Sequence, residues 1–196
     1  MKLIIVRHGE TEENKRKVFQ GQSHGKLSRE GREQARKLAK RLANEEFDVI
    51  ISSDLRRASD TTKIIATYHK KIPIIYSKLL RERAMGDIEG RKHADFPSFK
   101  SGRDANIHRK AKGGESFIDL RKRAIAFFKE AIEKYHGKTV LMVSHGAFNR
   151  VFLGYLMKRS IKDSLLIKQG NTAVNIIEIG ESGKHRVHLI GDVKHL

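Results

Sequence analysis

Two apolar stretches that end in the same dipeptide decide the fold of this chain. They are Lys2-Leu3-Ile4-Ile5-Val6-Arg7-His8-Gly9 and Lys138-Thr139-Val140-Leu141-Met142-Val143-Ser144-His145-Gly146. Each is typical of a buried strand that stops where a glycine lets the backbone turn. Because parallel strands end at one edge of a sheet, we predict that both histidines face one pocket. The arginine beside the first histidine indicates an anionic ligand there, above all a phosphate.

Strands and amphipathic helices alternate along the rest of the chain. Further strands are predicted over residues 47–52 and 72–76, and a hairpin over 172–179 and 187–190 around 180–183. Helices are predicted after the cap Ser28, over 55–69 after the cap Asp54, over 115–135 and over 148–157. This order predicts an α/β fold of three layers, with a mostly parallel central sheet flanked by helices. The length of 196 residues suits a single domain over residues 1–196.

The chain is strongly basic, with 41 Lys and Arg against 23 Asp and Glu and a formal net charge of +18. Such an excess favours phosphorylated metabolites, nucleic acid or an acidic membrane surface as partners. However, the basic residues are spread over nearly every predicted helix, and we interpret most of them as solvated surface. The absence of cysteine excludes disulfides, thiolate chemistry and cysteine-ligated metals. Without a signal-peptide pattern or a membrane-spanning apolar stretch, we expect a cytoplasmic protein with no membrane partner.

Residues 91–112 lack a regular apolar pattern and carry an excess of basic side chains. Against two aspartates stand Arg91, Lys92, Lys100, Arg103, Arg109, Lys110 and Lys112. A polar insertion between core elements is either a disordered loop or a lid over a site. We favour a short basic lid, because the segment lies between two motif-like stretches, residues 80–90 and 113–116. A basic lid favours a small substrate with more than one anionic group, and His93 and His108 are further candidates for contact with it.

Four segments, taken together and in order, resemble one known family. They are Arg7-His8-Gly9-Glu10-Thr11-Glu12-Glu13-Asn14, Ser52-Ser53-Asp54-Leu55-Arg56-Arg57-Ala58, Leu80-Arg81-Glu82-Arg83-Ala84-Met85-Gly86-Asp87-Ile88-Glu89-Gly90 and Ser144-His145-Gly146. Each segment alone is weak evidence, but the ordered set resembles the histidine phosphatase superfamily, the phosphoglycerate mutase-like enzymes. Within it, the second and third segments, with Gln20-Gly21-Gln22, look closest to the fructose-2,6-bisphosphatase-like and broad-specificity phosphatase branches.

The resemblance implies a role for each matching position. His8 would be the nucleophile that becomes phosphorylated, with Glu82 as the proton donor. The phosphoryl oxygens would be held by Arg7, Arg57 and His145. Further substrate-binding positions would be Asn14, Thr11, Gln22, Arg83 and Asn171. The basic lid, apart from the resemblance, adds Arg103 and Arg109 as candidates. The family chemistry needs no metal and no cofactor.

The residue types independently suit this chemistry. A nucleophilic imidazole must be neutral, and two neighbouring arginines disfavour its protonation. A carbonyl or hydroxyl bonded to the other ring nitrogen would fix the tautomer of His8. Arg57 falls in the first turn of a predicted helix, where a cation opposes the dipole unless it faces an anion. For Glu82 to donate a proton at neutral pH, its pKa must be raised by burial and by the charge of the substrate.

Three functions remain open. We favour hydrolysis of phosphomonoesters of small metabolites through a phosphohistidine. A cofactor-dependent phosphoglycerate mutase is the alternative, supported by Glu82, Arg83 and Gly86 in a Glu-Arg-x-x-Gly pattern. Against it, the insertion over residues 91–112 is short and lacks an adjacent Arg-Arg pair. A protein of another class, an inactive nucleic-acid-binding or scaffold protein, is disfavoured by 7% aromatic residues and the lack of a groove-reading motif. Dimers are common in the family, which makes a homodimer one oligomeric state to consider.

Overall fold

A six-stranded mixed sheet forms the centre of the protein. A computed structural model describes residues 1–99, 102, 104–180 and 184–196. The strands are β1 (Lys2–Arg7), β2 (Val49–Ser52), β3 (Ile74–Tyr76), β4 (Thr139–Ser144), β5 (Val174–Ile179) and β6 (His185–Asp192). They are arranged in the order β3-β2-β4-β1-β5-β6. The first four in this order are parallel, whereas β5 is antiparallel to both of its neighbours. The predicted mostly parallel sheet is therefore confirmed.

The register of β1 against β4 brings the two His-Gly turns together. Arg7 lies opposite Ser144 in this parallel pair, so His8 and His145 leave adjacent strands at the same level. The backbone N–H of His8 also donates to the carbonyl oxygen of Ser144 (3.0 Å). Both turns thus lie side by side at the carboxyl edge of the sheet, where ligands of α/β proteins usually bind.

Helices cover both faces of the sheet. They are α1 (Glu12–Lys15), α2 (Arg29–Leu42), α3 (Arg56–Ala66), α4 (Phe117–Lys134), α5 (Gly146–Leu156) and α6 (Ile161–Ser164). Alternate residues of β1 enter two separate cores: Leu3 and Ile5 pack with α4 and α5, and Ile4 and Val6 pack with α2 and α3. This separation produces the three predicted layers. Within the described residues, every helix is too short or too polar to cross a membrane.

The observed helix boundaries correct one predicted cap. Ser28 accepts a hydrogen bond from the Gly31 N–H and caps α2, as predicted. Asp54, in contrast, does not cap α3, whose N-cap is Leu55. Oδ1 of Asp54 accepts a hydrogen bond from Nε of Arg81 (2.7 Å), and Oδ2 of Asp54 accepts one from Nη2 of the same guanidinium. A charged partner distant in sequence therefore outcompetes the local backbone donors.

The described residues of the segment 91–112 have little regular structure but are attached to the body of the protein. Among the described residues of this segment, one turn of 3-10 helix spans Pro97–Phe99. The start of the segment 91–112 is fixed by a hydrogen bond from the Phe19 N–H to the Arg91 carbonyl (2.9 Å). Further on, Ala105 is buried in the core beside α4. The basic side chains described in this segment are exposed to solvent.

Candidate active site

His8 presents a neutral imidazole to a cavity at the carboxyl edge of the sheet. Its Nδ1 lies 2.7 Å from the carbonyl oxygen of Gly9. That oxygen can only accept a hydrogen bond, so Nδ1 carries the hydrogen and Nε2 of the neutral ring has a lone pair. This is the kind of contact that the sequence analysis expected. Burial, and then the positive charges of Arg57 and Arg7, hold the pKa of His8 well below its usual value. The ring is therefore uncharged at neutral pH.

Arg7 and Arg57 flank this imidazole with buried positive charge. Arg7 donates to the carbonyl of Gln169 (2.7 Å), and Arg57 donates to the carbonyls of Ser23 (2.7 Å) and Gly21 (2.8 Å). Within the described part of the chain, the buried Nε of each guanidinium has no hydrogen-bond partner. Burial lowers the pKa of both arginines to about 10, so both remain protonated at neutral pH. Two buried cations with unused donors form a site for an anion.

His145 lies beside His8 and is oriented by a serine of the neighbouring strand end. The two ring centroids are 5.1 Å apart. Nε2 of His145 lies 2.8 Å from Oγ of Ser53, while its buried Nδ1 has no partner among the described residues. Burial and the nearby charge of Arg57 lower the pKa of His145 well below its usual value. If Ser53 donates to Nε2, the remaining N–H of this neutral ring is free to donate to a ligand.

Glu82 is held at the N-terminus of α5. Its two carboxylate oxygens accept hydrogen bonds from the N–H groups of Arg83 (2.9 Å), Ala147 (3.1 Å) and Phe148 (3.1 Å). Such donors, together with the positive end of the helix, stabilise a carboxylate. These three contacts fix the position of the Glu82 carboxyl group in the lining of the cavity.

Of these groups, Arg7, His8, Arg57 and Glu82 line one cavity of about 360 Å³, whereas His145 is not among the lining residues. The charged side chains of the lining are Arg7, Arg57, Glu82, Arg83 and Arg150. Its apolar and aromatic lining includes Val18, Phe19, Met85, His93 and Phe99. A cavity of this size and character can hold a small ester with one strongly anionic end.

Comparison with known proteins identifies the family. The family model of the histidine phosphatase superfamily (branch 1) matches residues 3–192. The chain belongs to this superfamily. Histidine phosphatases similar to it include a probable phosphatase of Schizosaccharomyces pombe, 31% identical over all of this chain and 95% of that protein. A 2,3-bisphosphoglycerate-dependent phosphoglycerate mutase of Cytophaga hutchinsonii is 33% identical over 82% of this chain and 79% of the relative.

The fold is shared with solved histidine phosphatase structures. YhfR of Bacillus stearothermophilus superposes with a TM-score of 0.89 and is 30% identical, with 99% of this chain and 98% of the other covered. The resemblance stated from the sequence motifs is thereby confirmed.

Several residues that the family pattern assigned to substrate lie behind the cavity of this histidine phosphatase. Thr11 is buried and caps α1, in a reciprocal pair of hydrogen bonds with Asn14. Asn171 donates through Nδ2 to the His8 carbonyl (3.2 Å), and Gln22 donates to the Glu82 carbonyl (3.2 Å). Only Asn14 of these four lines the cavity. The other three support the backbone of the cavity-lining residues.

The arginines expected to bind substrate divide in the same way. Arg83 lines the cavity, although its guanidinium also donates to the carbonyls of Glu115 and Arg109 (both 2.8 Å). The exposed side chain of Arg109 instead donates to Ser98 (3.0 Å) and lies over the ring of Phe99. Arg109 is not among the residues that line the cavity, and its contact with substrate stays a prediction. Arg103 lies outside the described residues.

Sequence analysis missed Arg150, which also lines the cavity. It lies in the second turn of α5, and its Nε donates to the carbonyl of Ile167 (3.0 Å). Burial lowers the pKa of Arg150, and the charge of Glu82 acts in the opposite direction. The sequence feature that could have identified Arg150 is a basic residue near the start of the helix that follows His145-Gly146. The position of Arg57 near the start of its helix was used in the same way.

Proposed function

We propose that this protein is a metal-independent phosphomonoester hydrolase that acts on small phosphorylated metabolites through a phosphohistidine at His8. The observation that carries the proposal is the neutral His8 imidazole between the buried guanidinium groups of Arg7 and Arg57. An anion completes the hydrogen bonding of these groups, and a nucleophilic nitrogen then lies beside its phosphorus. The phosphatase relative among the similar proteins agrees with this choice.

In the first proposed step, Nε2 of His8 attacks phosphorus and the bond from phosphorus to the ester oxygen breaks. The transition state of such a transfer is loose and rich in negative charge, so Arg7, Arg57 and the free N–H of His145 lower its energy. The departing alkoxide takes a proton from the side chain of Glu82, the proton donor that the family resemblance implies.

In the second step, water attacks the phosphohistidine and the bond between nitrogen and phosphorus breaks. Glu82, now a carboxylate, accepts a proton from that water. Orthophosphate leaves, and His8 returns to its neutral form with Nδ1 still bonded to the Gly9 carbonyl. Proton transfers balance over the two steps, and no group besides these side chains is required.

The cavity lining supports a substrate with two different parts beyond its phosphoryl group. Arg150 provides a positive charge for a second anionic group, the feature first expected of the lid arginines. Phe19, Met85 and Phe99 provide apolar contact for the organic part of the ester. We propose a small metabolite that carries a second acidic group near the phosphate.

Mutase activity is the second candidate, because a mutase is among the similar proteins. It differs only in what receives the phosphoryl group from His8: a second phosphorylated substrate instead of water. The short insertion over residues 91–112 favours water as the acceptor.

The test measures a panel of phosphorylated metabolites with and without 2,3-bisphosphoglycerate. We expect release of free phosphate without the bisphosphate, and a loss of about 10³-fold or more for His8→Ala, since no other side chain replaces the nucleophile. Acid-free mass spectrometry of the rapidly quenched wild type should show one added phosphoryl group that is absent in the variant. His188→Ala, at an exposed position on β6, is the control.

Two other outcomes would contradict the proposal. Isomer formation that depends on the bisphosphate, without net phosphate release, identifies a mutase. No turnover of any ester, combined with oligonucleotide binding that falls steeply with salt, identifies the binding-protein alternative.

A further inference from the structure

The segment around residue 172 holds the main chain of His8 from behind. The N–H of Thr172 and Nδ2 of Asn171 both donate to the carbonyl oxygen of His8, at 3.3 and 3.2 Å. Thr172 is fully buried and has φ of 56°, a region that a β-branched residue rarely adopts. Surrounding contacts must therefore maintain this backbone conformation.

One of those contacts comes from a side chain 23 residues further along. Nε2 of His195 lies 3.0 Å from Oγ1 of Thr172, and Nδ1 of His195 lies 3.1 Å from Nη1 of Arg41 on α2. Arg41 in turn donates to a carboxylate oxygen of Asp192 (2.7 Å). The imidazole therefore links the strained loop behind the nucleophile to a fixed ion pair on the protein's surface.

The donors and acceptors of this chain of contacts admit a single proton arrangement. A guanidinium can only donate, so Nδ1 of His195 accepts and its Nε2–H donates to Thr172. The Thr172 hydroxyl then donates to the carbonyl of Asn171 (2.7 Å). This arrangement requires a neutral His195. Burial and the charge of Arg41 lower its pKa, with Lys37 acting in the same direction and Asp192 in the opposite one.

We infer that His195 is a positioning residue for the nucleophile: through Thr172 it fixes the backbone of residues 171–172, which holds His8 in line with the bound phosphoryl group. The inference rests on the proposed function of His8. A displacement of about 1 Å at a nucleophile can lower the rate of chemistry by up to about 100-fold while leaving binding intact. His195 itself touches no reacting atom.

The experiment compares four full-length proteins: wild type, His195→Ala, His195→Gln and Lys194→Ala. Glutamine can donate to Thr172 and accept from Arg41, and it does not titrate. We expect His195→Ala to lower kcat about ten-fold with KM within about two-fold, and His195→Gln to recover most of the lost kcat. Lys194→Ala, an exposed neighbour, should match wild type.

A second measurement does not depend on turnover. The ¹⁵N resonances of the His8 imidazole should shift in His195→Ala and return toward their wild-type positions in His195→Gln. Unchanged kcat and unchanged resonances in His195→Ala would overturn the inference, as would a glutamine variant as impaired as the alanine variant at equal thermal stability. A wild type without phosphatase activity contradicts the proposed function instead, and the resonances then decide on positioning alone.

Discussion

At the scale of single residues, the side chains that line the cavity carry an excess of positive charge. Arg7, Arg57 and Arg150 all approach one carboxylate, that of Glu82, which appears among the influences on the pKa of each arginine. Glu13 and Glu89 also raise the pKa of Arg57, but they do not line the cavity. The cavity lining therefore carries more positive than negative side chains, which suits a dianionic phosphoryl group. Of these three arginines, Arg150 lies on α5. Arg7 and Arg57 lie in the two segments that the sequence predicted to face the phosphate.

Replacing Arg150 with methionine should separate substrates by charge. We expect kcat/KM to fall about 10- to 100-fold for esters with a second acidic group and about three-fold or less for esters without one, because only the former use this charge. Steady-state kinetics with matched pairs of esters measures the difference. Arg159→Met, at an exposed position after the same helix, is the control. An equal loss for both substrate types would show that Arg150 does not select for a second anion.

Among the structural elements, α4 has a particular connection to the segment that carries Glu82. Its residue Arg123 donates to the carbonyls of Leu79 (2.8 Å), Arg81 (2.7 Å) and Glu82 (3.1 Å). The same guanidinium forms a bidentate pair with Glu115, at 2.8 and 2.7 Å. One side chain thus fixes three carbonyl groups within residues 79–82 to a long, regular helix.

Arg123→Ala should affect both stability and turnover. We expect a loss of about 2–3 kcal/mol in the free energy of unfolding, since the carbonyl groups and the Glu115 carboxylate lose their donor. We also expect kcat to fall about ten-fold, because Glu82 is no longer held at one position. Urea unfolding and steady-state kinetics test these two effects, with the exposed neighbour Lys122→Ala as control. Full activity in a destabilised Arg123→Ala protein would show that the segment keeps its shape without this contact.

At the scale of the whole molecule, folding buries His8 and His145 in their neutral form. The pKa values of His8 and His145 lie well below the usual value in the folded protein, chiefly because of burial. Unfolding exposes both rings to water and returns their pKa values to about 6.5. Below about pH 6.5 the unfolded chain binds more protons than the folded one. The free energy of unfolding therefore decreases as the pH falls below about 6.5.

This linkage predicts a pH dependence of the free energy of unfolding. Each buried histidine should contribute a decrease of up to about 1.4 kcal/mol per pH unit below about pH 6.5. The decrease ends when the pH reaches the lowered pKa of the folded state. His8→Gln should therefore show a shallower fall than wild type in urea unfolding between about pH 7 and about pH 5. His108→Gln serves as the control, and identical slopes for wild type and His8→Gln would contradict the prediction.

Features with a local signature could be predicted from the sequence, and features that depend on distant contacts could not. The ends of β1 and β4 were predictable because an apolar run and a glycine adjoin His8 and His145 in the sequence. Arg57 was predictable from its place in a helix. Asp54 was misassigned because its partner Arg81 is 27 residues away. The contact between His195 and Thr172 has no sequence pattern, because a threonine with positive φ contradicts ordinary residue preferences.

The antiparallel direction of β5 has a consequence for how the protein is made. Because β5 runs against β1, the residues that precede it, 169–172, reach the edge where β1 ends. A ribosome synthesises His8 about 160 residues before Gln169 and Asn171, so the imidazole emerges well before the residues that hold the end of β1. Until residues 169–172 have folded back beside β1, the main chain of His8 therefore lacks the contacts that fix it in the finished protein.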